Sequence, residues 1–163
     1  QTTDFLKSVA AVINKPVKEA VLQRLAEKNR ILKMLLNSPL LSRTPGTVFL
    51  KGDYDTVKGL GAFFKELRFN VAHSVCTHKI TGTAAEGIEY FKEEKEYLQL
   101  LKDIPHCLVF ADEDTVAKAD ATNFKICVSH PCFSHRTIAN HLPFMGEWGA
   151  DMLFEYIQQY VNM

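Results

Sequence analysis

Residues 47–67, T-V-F-L-K-G-D-Y-D-T-V-K-G-L-G-A-F-F-K-E-L, decide the fold. Thr47 to Lys51 is a short run of β-branched and apolar residues, the composition of a strand. Gly52-Asp53-Tyr54-Asp55 breaks it as a turn, and Asp55 is the expected helix N-cap, because a carboxylate there accepts from the amides of the first turn. Beyond it Val57, Leu60, Phe64 and Leu67 recur at helical spacing. The stretch is a β-turn-α unit.

The same alternation continues outward from it. Asn70 to Cys76 reads as a second strand, and Ala84 to about Leu101 as a charged amphipathic helix carrying Ile88, Phe91, Leu98 and Leu101. Cys107 to Phe110 is the third strand, followed by the acidic turn Asp112-Glu113-Asp114 and a short helix. Phe124 to Val128 is the fourth strand, and Gly149 to Val161 a closing helix with Ala150, Leu153, Phe154, Ile157 and Val161 inward. Strands alternating with helices predict a Rossmann-like, doubly wound α/β fold, a parallel sheet of about four strands covered on both faces.

The beginning of the chain reads differently. Thr3 and Asp4 cap a helix with Phe5, Leu6, Val9, Val12 and Ile13 at helical spacing, and Lys15-Pro16 ends it. A longer helix runs from about Val17 to Leu36, with Val21, Leu22, Leu25, Leu32 and Leu36 along one side. Asn37-Ser38-Pro39 stops it. The expected organisation is an N-terminal helical extension over residues 1–41 and the Rossmann-like domain over residues 42–163.

A chain of 163 residues accommodates one ordinary core. Nineteen basic residues balance nineteen acidic ones. There is no global field to gather phosphate backbones or an anionic membrane, so neither nucleic acid nor membrane is an expected partner. No apolar run has the length of a spanning helix, and no signal peptide is recognisable, so a cytoplasmic location is expected. The first residue is Gln1 rather than Met. This suggests a processed product, an expressed fragment or a beginning further upstream, with any missing chemistry expected there.

Ligands of open parallel sheets bind beyond the carboxyl ends of the strands, near the reversal of strand order. The turn after the first strand lacks the G-x-G-x-x-G fingerprint and carries carboxylates where a pyrophosphate needs bare amides, so dinucleotide binding is not expected. The loop after the fourth strand is richer. It holds His130, Cys132, His135 and Arg136, then His141. Imidazole and thiolate suit softer transition metals, and Arg136 offers a bidentate grip on an anion. No two of these residues have a recognised metal-ligand spacing. The loop is therefore read as contributing to a cofactor site shared with other segments, the alternative being a structural connection.

The remaining polar and aromatic residues receive plainer readings. His73, His78 and His106 are expected to be hydrogen-bonded surface or partly buried side chains. Glu86, Glu89, Glu93, Glu94 and Glu96 are read as a solvated helix face. Trp148 is read as an anchor between the last loop and the closing helix. Cys76, Cys107 and Cys127 are expected to be inert buried thiols, for no C-x-x-C pair is present.

Four stretches together resemble the third α/β domain of the nitrogenase component 1 family, which includes the molybdenum-iron protein subunits, their cofactor-assembly scaffold and the protochlorophyllide reductases. They are D-F-L-K-S-V-A-A-V-I-N-K-P-V from Asp4, L-A-E-K-N-R-I-L-K-M-L from Leu25, V-F-L-K-G-D-Y-D-T-V-K-G-L-G-A-F-F-K-E-L from Val48, and H-P-C-F-S-H-R-T-I-A-N-H-L-P-F-M-G-E-W-G-A from His130. The resemblance implies the C-terminal domain of an oxidoreductase subunit lining a metallocluster or tetrapyrrole cavity. It also implies a paralogous component 1 subunit as partner, and an ATP-dependent iron-sulfur protein that delivers electrons. The family's bridging-cluster cysteines belong to another domain, so the isolated chain is expected to hold no cofactor and to be inactive alone.

Two departures from the family pattern stand out. In the catalytic molybdenum-iron subunit a histidine of the terminal loop ligates the cofactor, and Arg136 occupies that place here, with His135 one residue away. Arg68 stands where the family usually has a helix-ending glycine, so Arg68 or a neighbour is expected to take a left-handed cap at some cost. Two other readings stay open: a non-catalytic scaffold for a cofactor precursor, and a stand-alone α/β module for a small ligand.

Overall fold

The structure is a computed structural model and describes residues 2–36, 46–82, 86–129 and 146–161. They fall into two compact units, Pro45–Leu142 and the pair of segments Gln1–Thr44 and Pro143–Met163.

The first unit is the α/β body. Its strands are β1 (Thr47–Gly52), β2 (Asn70–Cys76), β3 (Leu108–Asp112) and β4 (Phe124–Ser129), all parallel in the order β2-β1-β3-β4. Between them lie α3 (Tyr54–Glu66), α4 (Glu94–Lys102) and α5 (Glu113–Lys118). The expected doubly wound sheet of four strands is present. Val48, Phe49, Leu50, Leu108, Val109 and Phe110 are fully buried, so β1 and β3 are apolar on both faces, as the centre of a covered parallel sheet requires.

Alternation along the strands sorts the core into two layers. On one face α3 packs Phe64 against Phe110, ring centroids 5.1 Å apart, and a Cβ at Gly61 would lie 3.7 Å from Leu50 Cδ1. On the other face Phe49, Val75, Val109 and Ala111 meet Tyr97 and Leu101 of α4, with Val116 of α5 packed against them.

Helix α3 begins two residues earlier in the sequence than the expected cap at Asp55 placed it. Asp53, not Asp55, is the N-cap: its φ of −69° and ψ of 167° are extended, and its Oδ1 accepts from Thr56 N at 2.9 Å. Asp55 lies inside the first turn. At the other end Arg68 takes the left-handed cap, with φ 63°.

The helix expected from Ala84 begins only at Glu94. Gly87 has φ 70°, which a helix cannot contain, and Glu89 instead pairs in parallel with β2. Glu89 N donates to Ser74 O at 2.7 Å, and Cys76 N donates to Glu89 O at 2.8 Å. Backbone groups on the open edge of β2 thus find partners, and that gain outweighs the helical periodicity of the segment. Glu86 and Glu89 therefore do not belong to a helix face.

The second unit contains α1 (Thr2–Val12), α2 (Glu19–Leu36) and α6 (Gly146–Val161). Asn14 ends α1 at φ 51°, with Lys15 N donating back to Ala10 O at 3.0 Å. Leu25 of α2 and Leu153, Phe154 and Ile157 of α6 are buried, whereas Phe5, Val12 and Ile13 are exposed. Lys28 joins α2 to α6: its Nζ lies 2.7 Å from Asp151 Oδ2 and 3.9 Å from the centroid of the Trp148 ring. Trp148 is 63% exposed on α6, and the last loop that it was expected to anchor lies outside the described residues. An indole with one face covered by an ammonium is held by a cation–π contact rather than by packing.

Candidate functional site

The chain passes from β1 outward to β2 and returns to place β3 on the other side of β1, so strand order reverses between β1 and β3. At the carboxyl ends of those strands stand Lys51 and Asp112. Neither was singled out in the sequence, although each closes an apolar run: V-F-L-K in β1 and L-V-F-A-D in β3.

The two side chains form an ion pair, with exposures of 12% for Lys51 and 5% for Asp112. Lys51 Nζ also donates to Thr115 Oγ1 at 2.9 Å and lies 4.5 Å from the centroid of the Tyr97 ring. Asp112 is at once the last residue of β3 and the N-cap of α5, its Oδ1 accepting from Thr115 N at 3.0 Å and from Thr115 Oγ1 at 3.0 Å. One polar cluster therefore ties β1, β3, α4 and α5 together.

Burial by itself raises the Asp112 pKa, but the hydrogen bonds from Lys51 and Thr115 outweigh it and hold the carboxyl below the usual carboxylate range. Burial likewise pulls Lys51 down, and its bonds to Asp112 and Tyr97 reverse the sign, leaving it above an ordinary lysine. A carboxylate held ionised and an ammonium held protonated are poor proton-transfer groups at neutral pH. The cluster is electrostatic and structural.

The neighbouring loops are also committed to local bonds. Thr77 N, just past β2, donates to Gly52 O at 2.9 Å, and Asp53 is occupied with its cap. Cys76 is buried, with Sγ 3.7 Å from His78 Nδ1. His73 is half-buried and pairs with Glu89 Oε1 at 2.9 Å, as expected for a hydrogen-bonded histidine. Burial pushes the Cys107 thiol up to about 11, so it is protonated and unreactive at neutral pH. Cys127 is half-buried. Among the described residues no group of three or more His, Cys, Asp or Glu is arranged to hold a metal ion. Among them, too, no helix is long and apolar enough to cross a membrane.

His130, Cys132, His135, Arg136 and His141, the residues selected from the sequence, lie outside the described residues. Their point of departure is described: β4 ends at Ser129, in register with Asp112 at the carboxyl end of β3. Ser129 thus stands at the carboxyl-end edge of the sheet, the edge at which open parallel sheets in general take ligands.

No protein-family model matches the chain, and no curated protein sequence matches it. Among solved structures the chain is similar to one described as "Nitrogenase Cp1 at pH 6.5", with a TM-score of 0.76 and 16% sequence identity. The likeness covers 99% of this chain and 37% of that one, so this chain spans little more than a third of the length of the protein it matches. At that identity the likeness is one of fold: this chain has the architecture of one part of a nitrogenase Cp1 chain.

Proposed function

We propose that this chain is the C-terminal α/β domain of a nitrogenase-like, component 1-type oxidoreductase subunit, and that residues 130–141 form part of the wall of a metallocluster or tetrapyrrole cavity shared with other domains of the assembly. The observation that carries this reading is the fold likeness, which extends over 99% of the chain and so takes in its helical segments as well as its sheet.

The interior of the α/β body favours a shared cavity over a stand-alone ligand module. At the strand-order reversal, where such a module in general holds its ligand, stands the buried Lys51–Asp112 ion pair, with the Tyr97 ring centroid 4.5 Å from Lys51 Nζ. The described residues offer no donor set for a metallocluster either. The donors proposed from this chain are those of the segment after β4: Arg136 for an anionic group, Cys132 and the histidines for a metal or a hydrogen-bonding edge. The proposed partners are a paralogous component 1 subunit and an ATP-dependent iron-sulfur protein that supplies electrons.

Anaerobic purification of the complete subunit with its partner tests this. Metal content, visible absorption and turnover with an ATP-dependent reductase are compared between the parent and the Arg136→Ala and His135→Ala variants. Loss of cofactor or turnover in folded variants supports the proposal. Retained cofactor without any turnover identifies an assembly scaffold instead. Unchanged cofactor and turnover in both variants reduce the loop to a connection and overturn its role.

A further inference from the structure

We infer that the exposed apolar stripe of α1, formed by Phe5, Val9, Val12 and Ile13, is an interdomain surface that another domain of the same subunit covers with an apolar face of its own. The inference rests on the component 1-type reading, of which it needs only that this chain is one part of a longer subunit.

Phe5, Val9 and Val12 stand at i, i+4 and i+7, so they share one face of α1, and Ile13 extends it. Ile13 N still donates to Val9 O at 3.0 Å, which keeps it in the helical path. The face is open. Phe5 is 67% exposed and Val12 86%, and Val9 and Ile13 are exposed as well. Leu6 and Ala10, further around the helix, are half-buried. Helix α1 thus has two apolar sides, one partly covered within this chain and the other left to water.

A contiguous stripe of large apolar side chains marks a contact surface, whereas scattered ones do not. No charged residue interrupts it, for Asp4 and Lys7 lie at other positions around the helix, and a single lysine is too little to draw α1 onto an anionic membrane. Area decides between a second copy and a neighbouring domain. Weighted by exposure, the four side chains offer on the order of 400 Å², so two copies face to face would bury on the order of 800 Å², below the roughly 1,200 Å² at which separate proteins form stable complexes. Contacts between domains of one chain bury roughly 600–1,500 Å², because the covalent link supplies the proximity that area must otherwise provide. The solved nitrogenase Cp1 chain has such further domains to offer: the likeness takes in α1, covering 99% of this chain, and leaves most of that chain unmatched.

Val12→Cys places a thiol in the stripe. Its alkylation is followed by peptide-resolved mass spectrometry in the 163-residue chain and in the complete subunit, each free of other proteins and measured over a range of dilutions. Labelling should be rapid in the chain and at least about tenfold slower in the complete subunit at every dilution. Equal rates in the two overturn the inference. So does slow labelling of the 163-residue chain, which places the cover within these residues or in a second copy. Slow labelling of the complete subunit that becomes fast on dilution, or a natural polypeptide without further domains, overturns it as well. Should Val12→Cys fail to fold, Phe5→Cys is read in the same way. Cofactor content of the same subunit keeps the two readings apart: a protected stripe without a cofactor overturns the oxidoreductase reading alone, and a loaded cofactor with an exposed stripe overturns this inference alone.

Discussion

Phe69 stands edge-on to Phe64 with ring centroids 5.4 Å apart, and this contact closes the end of α3 over the left-handed Arg68. Phe69 N donates to Phe64 O and Arg68 N to Lys65 O, each at 3.0 Å. These are the two bonds of a Schellman motif, and the aromatic pair is its usual apolar clasp. The motif wants glycine at the position held by Arg68. A non-glycine residue in the left-handed region costs roughly 1–2 kcal/mol, of which glycine's greater unfolded-state freedom returns about 0.5–1 kcal/mol. Arg68→Gly should therefore stabilise the domain by up to about 1 kcal/mol in chemical denaturation. A destabilised variant would show that the Arg68 side chain makes a contact worth more than the backbone strain.

The start of the same helix separates two aspartates that are alike in the sequence. Asp53 accepts from Thr56 N, whereas Asp55 lies within the first turn. Asp53→Ala should cost about 1 kcal/mol, and Asp55→Ala only a few tenths through the helix dipole. Denaturation of both variants in parallel checks this, and equal losses would contradict the assignment of the cap.

What was legible in the sequence follows from the range over which each signal acts. The strands β1 to β4 and helix α3 were readable because their apolar residues are consecutive or periodic and the Gly52-Asp53 turn separates two periods. The left-handed cap at Arg68 was anticipated from the family resemblance alone, because Arg68 stands where the family usually has a helix-ending glycine. The segment before α4 was not, because the pairing of Glu89 with Ser74 and Cys76 is a backbone event that leaves no mark in side-chain pattern. The Lys51–Asp112 pair was hidden for another reason. Its two members are 61 residues apart, and only the strand order brings β1 and β3 side by side.

Helix α3 contains glycine at a position where alanine should fit. A Cβ at Gly61 would meet Leu50 Cδ1 at 3.7 Å and Ser74 Oγ at 3.8 Å, both ordinary van der Waals separations. Helix propensity favours alanine by about 1 kcal/mol, so Gly61→Ala should raise stability by up to that amount. A loss of stability would mean that α3 lies closer to β1 and β2 than these distances indicate.

The Lys51–Asp112 pair also sets a pH dependence. Asp112 has a depressed pKa in the folded state, so its contribution is present above the ordinary carboxylate pKa and is lost as pH falls through its lower folded value. Lys51 has a raised pKa, so its contribution is present below the ordinary lysine pKa and is lost as pH rises through its higher folded value. Stability from this pair should be level between roughly pH 5 and 9 and fall on both sides. Lys51→Met alone should cost about 3 kcal/mol by stranding a buried carboxylate, whereas Lys51→Met/Asp112→Asn should recover most of that loss and flatten both limbs. Denaturation across pH measures all three proteins. Unaltered acid and alkaline limbs in the double variant would assign them to other groups.

Thiol labelling distinguishes the buried cysteines from the one proposed to face a cavity. Cys76 and Cys107 are buried, and the raised pKa of Cys107 leaves little of the reactive thiolate at neutral pH. Both should stay unmodified in the folded chain until global unfolding exposes them. Cys132 belongs to the segment that leaves β4 beside Asp112, which is proposed to line a cavity completed by other domains. With those domains absent it should be open to solvent and react rapidly. Peptide-resolved mass spectrometry after a short pulse of alkylating reagent reads each site separately. Modification of Cys132 well ahead of Cys76 and Cys107 supports an open cavity wall. Protection of Cys132 equal to that of Cys107 would place it in the interior of this chain and remove the segment from the proposed site.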